Sequence, residues 1–272
     1  MEEKFNELEN LSLDDRASLS SWMLENKEYI QIHFRTEEPS VHLEKLKKFW
    51  NPASRGLILL DEWFEWLIDG SGTKEGSVMA EIKNRIDMIM NVCSQVLVEE
   101  NNEDYEHKIQ EKKKYSLEMF GSEEYFNVFL LRELCNSWKD KPKNFIYIEN
   151  EDRGEVSNQP YIHVVIVSHT GRDFEKSLMI SVRVGNAVFF KELSLCEALG
   201  ALLEITFSFN LMYDATVDNI FNFLQRDLAG LENMDGARNK KGFTKKPYNN
   251  FKTALGAIVL KSNKGILKKL LC

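Results

Sequence analysis

Two histidines bracket the stretch HVVIVSH at residues 163–169, and Ser168 and Asp173 stand close to the second of them. Serine, histidine and aspartate are the residue types of a hydrolytic triad, in which a carboxylate orients an imidazole that takes the proton of a nucleophilic hydroxyl. The spacing argues against that use. Ser168 and His169 are adjacent, so on a strand their side chains point to opposite faces, and no G-x-S-x-G elbow accompanies the serine. A metal shared by His163 and His169 fails on distance. The strand between them spans about 20 Å, whereas ligand nitrogens lie about 2.0 to 2.1 Å from a zinc ion. A hydrolase centred on Ser168, His169 and Asp173 is therefore the enzyme alternative, and a loop histidine is the plainer reading of His169.

The remaining chemistry-bearing residues assemble no stronger pattern. His33, His42 and His107 lie among charged, helical neighbours without an H-E-x-x-H arrangement. Cys93, Cys135, Cys196 and Cys272 are scattered without C-x-x-C spacing, which points to reduced thiols and not to zinc or a disulfide framework. GSGTKEGS, at residues 70–77, lacks the order of a phosphate-binding loop. Asp61 and Glu65 share a helix face, where a solvated surface explains them better than acid–base chemistry. No catalytic, metal-binding or cofactor-binding residue is expected, and no cofactor.

Charge is distributed unevenly. The chain of 272 residues carries a net charge of -8, yet from Leu231 onward ten basic residues face only Glu232 and Asp235. Arg238, Lys240, Lys241, Lys245 and Lys246 crowd one short stretch, RNKKGFTKK, with Phe243 between them. Basic residues interleaved with aromatics neutralise phosphates and stack bases, so this tail is the candidate anion or nucleic-acid site. The acidic remainder opposes a polyanion brought within about 8 Å at physiological salt. The N-terminus, MEEKFNELEN, has neither the basic start nor the apolar run of a signal peptide. A cytoplasmic or nuclear protein is expected, with no membrane segment, and the sequon at Asn10 reads as a chance match.

The elements that must carry these residues fall into two textures. Residues 14–35, the VHLEKLKKFW stretch and the segment after Asn51-Pro52 read as helices, the last of them, GLILLDEWFEWLI, apolar over much of its circumference. After the glycines at 70–72, Val78, Ile82, Ile86, Ile89 and Val92 keep helical spacing. Residues 99–114 are highly charged and read as a solvated connector or exposed helix. Ser122 is placed to cap the helix EEYFNVFLLRELCNSW.

From Asn144 the segments NFIYIEN, YIHVVIVS, LMISVRV and AVFF are short and β-branched or aromatic, with a hairpin signal at Gly185-Asn186. SLCE at 194–197 matches a capping box before an apolar run, which predicts a deeply buried helix to about Tyr213 with Asn210 inside. Its interruption by Glu204 argues against a membrane span. A second helix, DATVDNIFNFLQRDLAGL, follows and stops at Gly230.

Within residues 145–231 the order of features resembles a group of animal proteins, abundant in fish, often labelled sterile-alpha-motif-domain-containing-like. The carrying residues are VFF at Val188 to Phe190, FSFNLMY at Phe207 to Tyr213, and Phe223-Leu224-Gln225. Where that group continues its tyrosine with proline, this chain has Asp214. The shared residues are packing residues, so the resemblance implies a fold and carries no catalytic residue.

The expectation is an α+β protein. Residues 1–140 form a helical region, 141–232 a small antiparallel or mixed sheet of three to four strands with two helices packed on it, and 233–272 a basic loop and short helix. Function is read as a non-enzymatic, intracellular protein-interaction or scaffold role, with a protein partner. Nucleic-acid or anionic-surface binding through the tail and the hydrolase stand as alternatives.

Overall fold

Val78, Ile82, Ile86, Ile89 and Val92 line one buried side of helix α1 (Val78–Asn101) in the computed structural model. The structure describes residues 78–101, 103–168, 176–208 and 213–231, together with Glu25 and Thr253. The helices expected before Val78 and the basic tail lie outside the described residues.

The charged stretch after α1 is a helix, α2 (Glu103–Phe120), that exposes most of its charges while burying Ile109 and Ser116. It leads into α3 (Glu124–Ser137). Ser122 is a poor cap there, because the Glu124 amide reaches its hydroxyl only at 3.4 Å. The hydroxyl of Ser116, from α2, does this work instead. It accepts from the Phe126 amide at 3.0 Å and donates to the Ser122 carbonyl at 2.7 Å, tying the start of α3 to its neighbour.

A turn with Lys139 at φ +63° and a 3-10 turn at Pro142–Asn144 end the helical layer. Four strands follow: β1 (Ile146–Ile148), β2 (Pro160–Ser168), β3 (Lys176–Val184) and β4 (Ala187–Leu193). They form one mixed sheet in the order β1-β2-β3-β4, with β1 parallel to β2 and the other pairs antiparallel. The expected hairpin joins β3 to β4 through Gly185 and Asn186, with Gly185 at φ +55°. Period-2 alternation gives the sheet two faces. Ile146, Ile148, Ile162, Val164, Ile180, Val182 and Phe190 enter the core, while Tyr147, Tyr161, His163, Ser181 and Arg183 point the other way.

Helix α4 (Leu195–Ser208) begins with the capping box in reciprocal form. Ser194 donates its amide to Glu197 Oε2 at 2.8 Å, and the Glu197 amide donates to Ser194 Oγ at 3.3 Å. The helix lies between the core face of the sheet and α1, and so burial runs nearly all round it, with Glu204 fully buried. At the crossing with α1, Gly200 meets Met79. Asn210 lies outside the described residues.

The segment expected as one further helix changes pitch twice. Asp214 caps a 3-10 turn (Ala215–Val217), α5 (Asp218–Phe223) follows, and Leu224–Leu228 close as a π-turn before Gly230 at φ +63°. An outside group sets where the α pitch starts. The buried Asp140 carboxylate accepts from Asn219 Nδ2 at 2.7 Å and from the Ile220 amide at 2.9 Å, serving the first turn of α5 from the turn that follows α3. Trp138 packs edge-on against Phe223 at 5.6 Å, so a single apolar cluster joins α1, α3, the sheet, α4 and α5. Among the described residues no helix is long and apolar enough to cross a membrane.

Candidate functional site

Of the residues that opened the sequence analysis, Ser168 and His163 are placed. Ser168 is exposed at the end of β2, opposite Lys176. His169 and Asp173 lie outside the described residues, as do Asp61, Glu65 and the cluster Arg238, Lys240, Lys241, Lys245 and Lys246. No group of three or more histidine, cysteine or acidic side chains suited to a metal occurs among the described residues. Burial pushes the thiols of Cys93 and Cys135 well up, which keeps them protonated as packing groups.

His163 is only 4% exposed although it leaves the core face of the sheet. Neighbouring rows of the sheet cover it. Its ring stacks on Tyr147 at 5.7 Å and meets Tyr161 edge-on at 6.5 Å. Nε2 lies 3.2 Å from Glu149 Oε2, while Nδ1 is buried without a hydrogen-bond partner, as is Nε of Arg183. Burial, and then the Arg183 guanidinium, lower the pKa of the imidazole below its ordinary 6.5, with Glu149 opposing them. A neutral, stacked imidazole is a packing group, and no nucleophile adjoins it among these contacts.

That environment makes a pH prediction. The folded chain resists protonating His163 and the unfolded chain does not, so stability is complete above about pH 6.5 and declines as pH falls below it. Denaturant midpoints between pH 7.5 and 5.0 are expected to fall for the wild type and to fall less for His163→Phe. This window lies above the ordinary carboxylate range. Parallel curves for the two proteins would show that His163 is not the group responsible.

A second feature is a groove of about 960 Å3 where α1, α2 and α3 diverge. Met90, Ile109 and Phe126 form its apolar floor, and Leu117 joins them while remaining 46% exposed. Lys113 pairs with Glu123 at 2.9 Å and Lys114 with Glu118 at 3.7 Å, so both lysines on the rim are answered by carboxylates. Asp87, also on the rim, has no ion-pair partner among the described residues. Asn91, Ser94, Gln110 and Asn127 supply neutral donors and acceptors.

Sequence reasoning missed the groove because the charges of residues 99–114 mask it. The signal was present in Ile109 and Leu117, two turns apart and on one side of α2. Compared with models of protein families, with curated proteins and with solved structures, the chain finds no match.

Proposed function

We propose that the chain is a non-enzymatic interaction protein whose groove between α1, α2 and α3 receives an amphipathic helix of a protein partner. The observation that carries this reading is the half-exposed Leu117 beside an apolar floor, framed by polar rims contributed by three helices. Apolar surface flanked by hydrogen-bonding groups is how helix-in-groove recognition is built. The incoming helix supplies anchors at i, i+3 or i+4, and i+7, and the rim fixes its register. Asp87 specifies the charge. With both rim lysines already paired and no ion-pair partner for Asp87 among the described residues, that carboxylate calls for a lysine or arginine beside the apolar stripe of the partner.

The test is selection of helical peptides from a displayed library on the full chain, followed by titration of the enriched peptides against variants. Enriched sequences are expected to combine an apolar stripe with a basic residue. Leu117→Arg is expected to weaken them at least tenfold, and Asp87→Lys to weaken only those that carry the basic residue. Peptides that bind both variants as well as the wild type would overturn the reading, as would a selection that enriches nothing.

A further inference from the structure

We infer that Tyr115, Tyr125 and Phe129 form a cage for a quaternary ammonium group, held in the resting chain by the ammonium of Lys112. Lys112 Nζ stands 5.6 Å from the ring centroid of Tyr115 and 5.8 Å from those of Tyr125 and Phe129. A cation surrounded by aromatic faces is attracted by their quadrupoles out to about 6 Å, and such cages recognise quaternary ammonium ligands.

Other ammonium groups approach single walls, Lys176 Nζ at 5.4 Å from the Tyr115 centroid and Lys108 Nζ at 5.3 Å from that of Phe129, but among the described residues Lys112 is the one that faces all three rings. Lys108 bonds Glu133 at 2.8 Å, and Lys113 and Lys114 pair with Glu123 and Glu118. Among the described residues Lys112, half-buried, has no carboxylate or hydrogen-bond acceptor, and its ammonium is met by the three rings.

The walls are fixed by contacts from separate parts of the fold. Tyr115 Oη accepts from Lys176 Nζ of β3 at 2.9 Å, and Tyr125 Oη donates to Glu151 Oε1 of the loop after β1 at 2.9 Å. Tyr115 and Tyr125 meet at 61°, with centroids 5.7 Å apart, and Phe129 lies nearly parallel to Phe126. Rings held this way keep their positions when the occupant leaves.

Size and hydrogen bonding both favour a methylated occupant. At 5.6 to 5.8 Å the bare ammonium sits near the outer limit of the attraction, with space between it and each ring. Methyl carbons about 1.5 Å from a quaternary nitrogen fill that space. An ammonium also brings three N–H donors that ring faces satisfy weakly, whereas a quaternary nitrogen brings none. The cage is separate from the groove. Lys113 and Phe126 face the groove, while Lys112 and Tyr125, one residue before each, are turned by about 100°.

The quaternary group comes either on a free molecule or on a methylated lysine of a peptide, and the probes separate the two. The full chain is titrated by NMR with choline, with a short peptide carrying N-trimethyllysine, and with the unmethylated peptide. The neutral tert-butyl analogue of choline serves as the charge control. In the free wild type the ε-methylene protons of Lys112 are expected upfield of their random-coil position, shifted by the rings. They should move toward that position as a quaternary probe is added.

Lys112→Met removes the charge that faces all three rings and keeps the stem, while Lys108 and Lys176 remain beside the outer two walls. It is expected to bind at least one quaternary probe about tenfold more tightly than the wild type, and at least tenfold more tightly than the tert-butyl analogue binds. Adding Tyr115→Leu should abolish the gain. Choline binding alone assigns a free ligand, and a marked preference for the methylated peptide assigns a protein tail. Unshifted Lys112 ε-protons in the free chain would overturn the cage. So would a folded Lys112→Met chain that binds no quaternary probe, or one that binds the neutral analogue equally well.

Discussion

Replacing Arg132 with methionine is expected to destabilise the protein by about 1.5 to 3 kcal/mol, the cost of leaving the charged partner of a part-buried ion pair without its hydrogen bonds. Arg132 reaches from α3 and grips the Asp152 carboxylate with both terminal nitrogens, at 2.6 and 2.8 Å, with the two side chains 16% and 12% exposed. The same guanidinium donates to the Ile146 carbonyl at 2.6 Å, and Asp152 accepts from the Ile148 amide at 2.7 Å. The pair therefore also satisfies backbone groups at both ends of β1, which among the described strands pairs with β2 alone. Methionine keeps much of the packing volume but leaves a part-buried carboxylate without its partner and an unanswered carbonyl.

Urea denaturation of Arg132→Met, Asp152→Leu and the double variant at neutral pH gives the coupling directly. The double variant is expected to be more stable than either single one, because no charge is then left without its partner. Losses under about 1 kcal/mol in both single variants would show that β1 is held by other means. Burial opposes the charge on Asp152, but its bonds to Arg132 and Ile148 prevail and lower its pKa below the ordinary 3.8. Its contribution is therefore complete above about pH 3.8 and is lost as pH falls through the lower, folded value.

The contrast between Arg132 and the apolar residues shows what a one-dimensional reading reaches. Val78, Ile82 and Ile86 announce α1 by spacing alone, Ser194 and Glu197 announce the start of α4, and Gly185-Asn186 announces the turn between β3 and β4. In each case the partners lie within a few residues, so local pattern contains the physics.

Arg132 and Asp152 are 20 residues apart, and Asp140 and Ile220 are 80 apart. Nothing local tells that these charged groups will be drawn inward to serve backbone amides. The change from 3-10 to α to π pitch after Asp214 is illegible for the same reason, since Asp140 and the core around Phe223 set it. The cage was hidden differently. Lys112 sits in a stretch whose charge density reads as solvent-facing, and only the closure of α3 onto α2 reveals that it faces rings from both helices. The opening motif went the other way: His163, conspicuous in sequence, is a stacked neutral ring on the side of the sheet away from the core.

Gly200→Leu is expected to cost about 3 kcal/mol or more, because it forces apart the two helices that enclose the centre of the core. A Cβ at Gly200 would lie 2.5 Å from Met79 Cγ, 3.4 Å from its Cα and 3.5 Å from its Cβ. The first contact is closer than any real packing distance, and the other two show that α1 itself is near. Glycine in mid-helix ordinarily costs about 1 kcal/mol relative to alanine, so its presence in α4 marks the close approach.

Alanine at position 200 sets that propensity gain against a clash that Met79, partly buried and flexible, relieves by changing rotamer, leaving a loss of about 1 kcal/mol. Leucine adds atoms that the rotamer change cannot accommodate. Helix α4 is pressed against the sheet on its other side, so the strain passes to the α1–α4 crossing. Met79→Ala should rescue Gly200→Ala, because it removes the atom at 2.5 Å, and should restore only part of the loss in Gly200→Leu. Denaturant midpoints for the single and paired variants decide the matter. A Gly200→Leu chain as stable as the wild type would mean that α1 and α4 do not meet at this glycine.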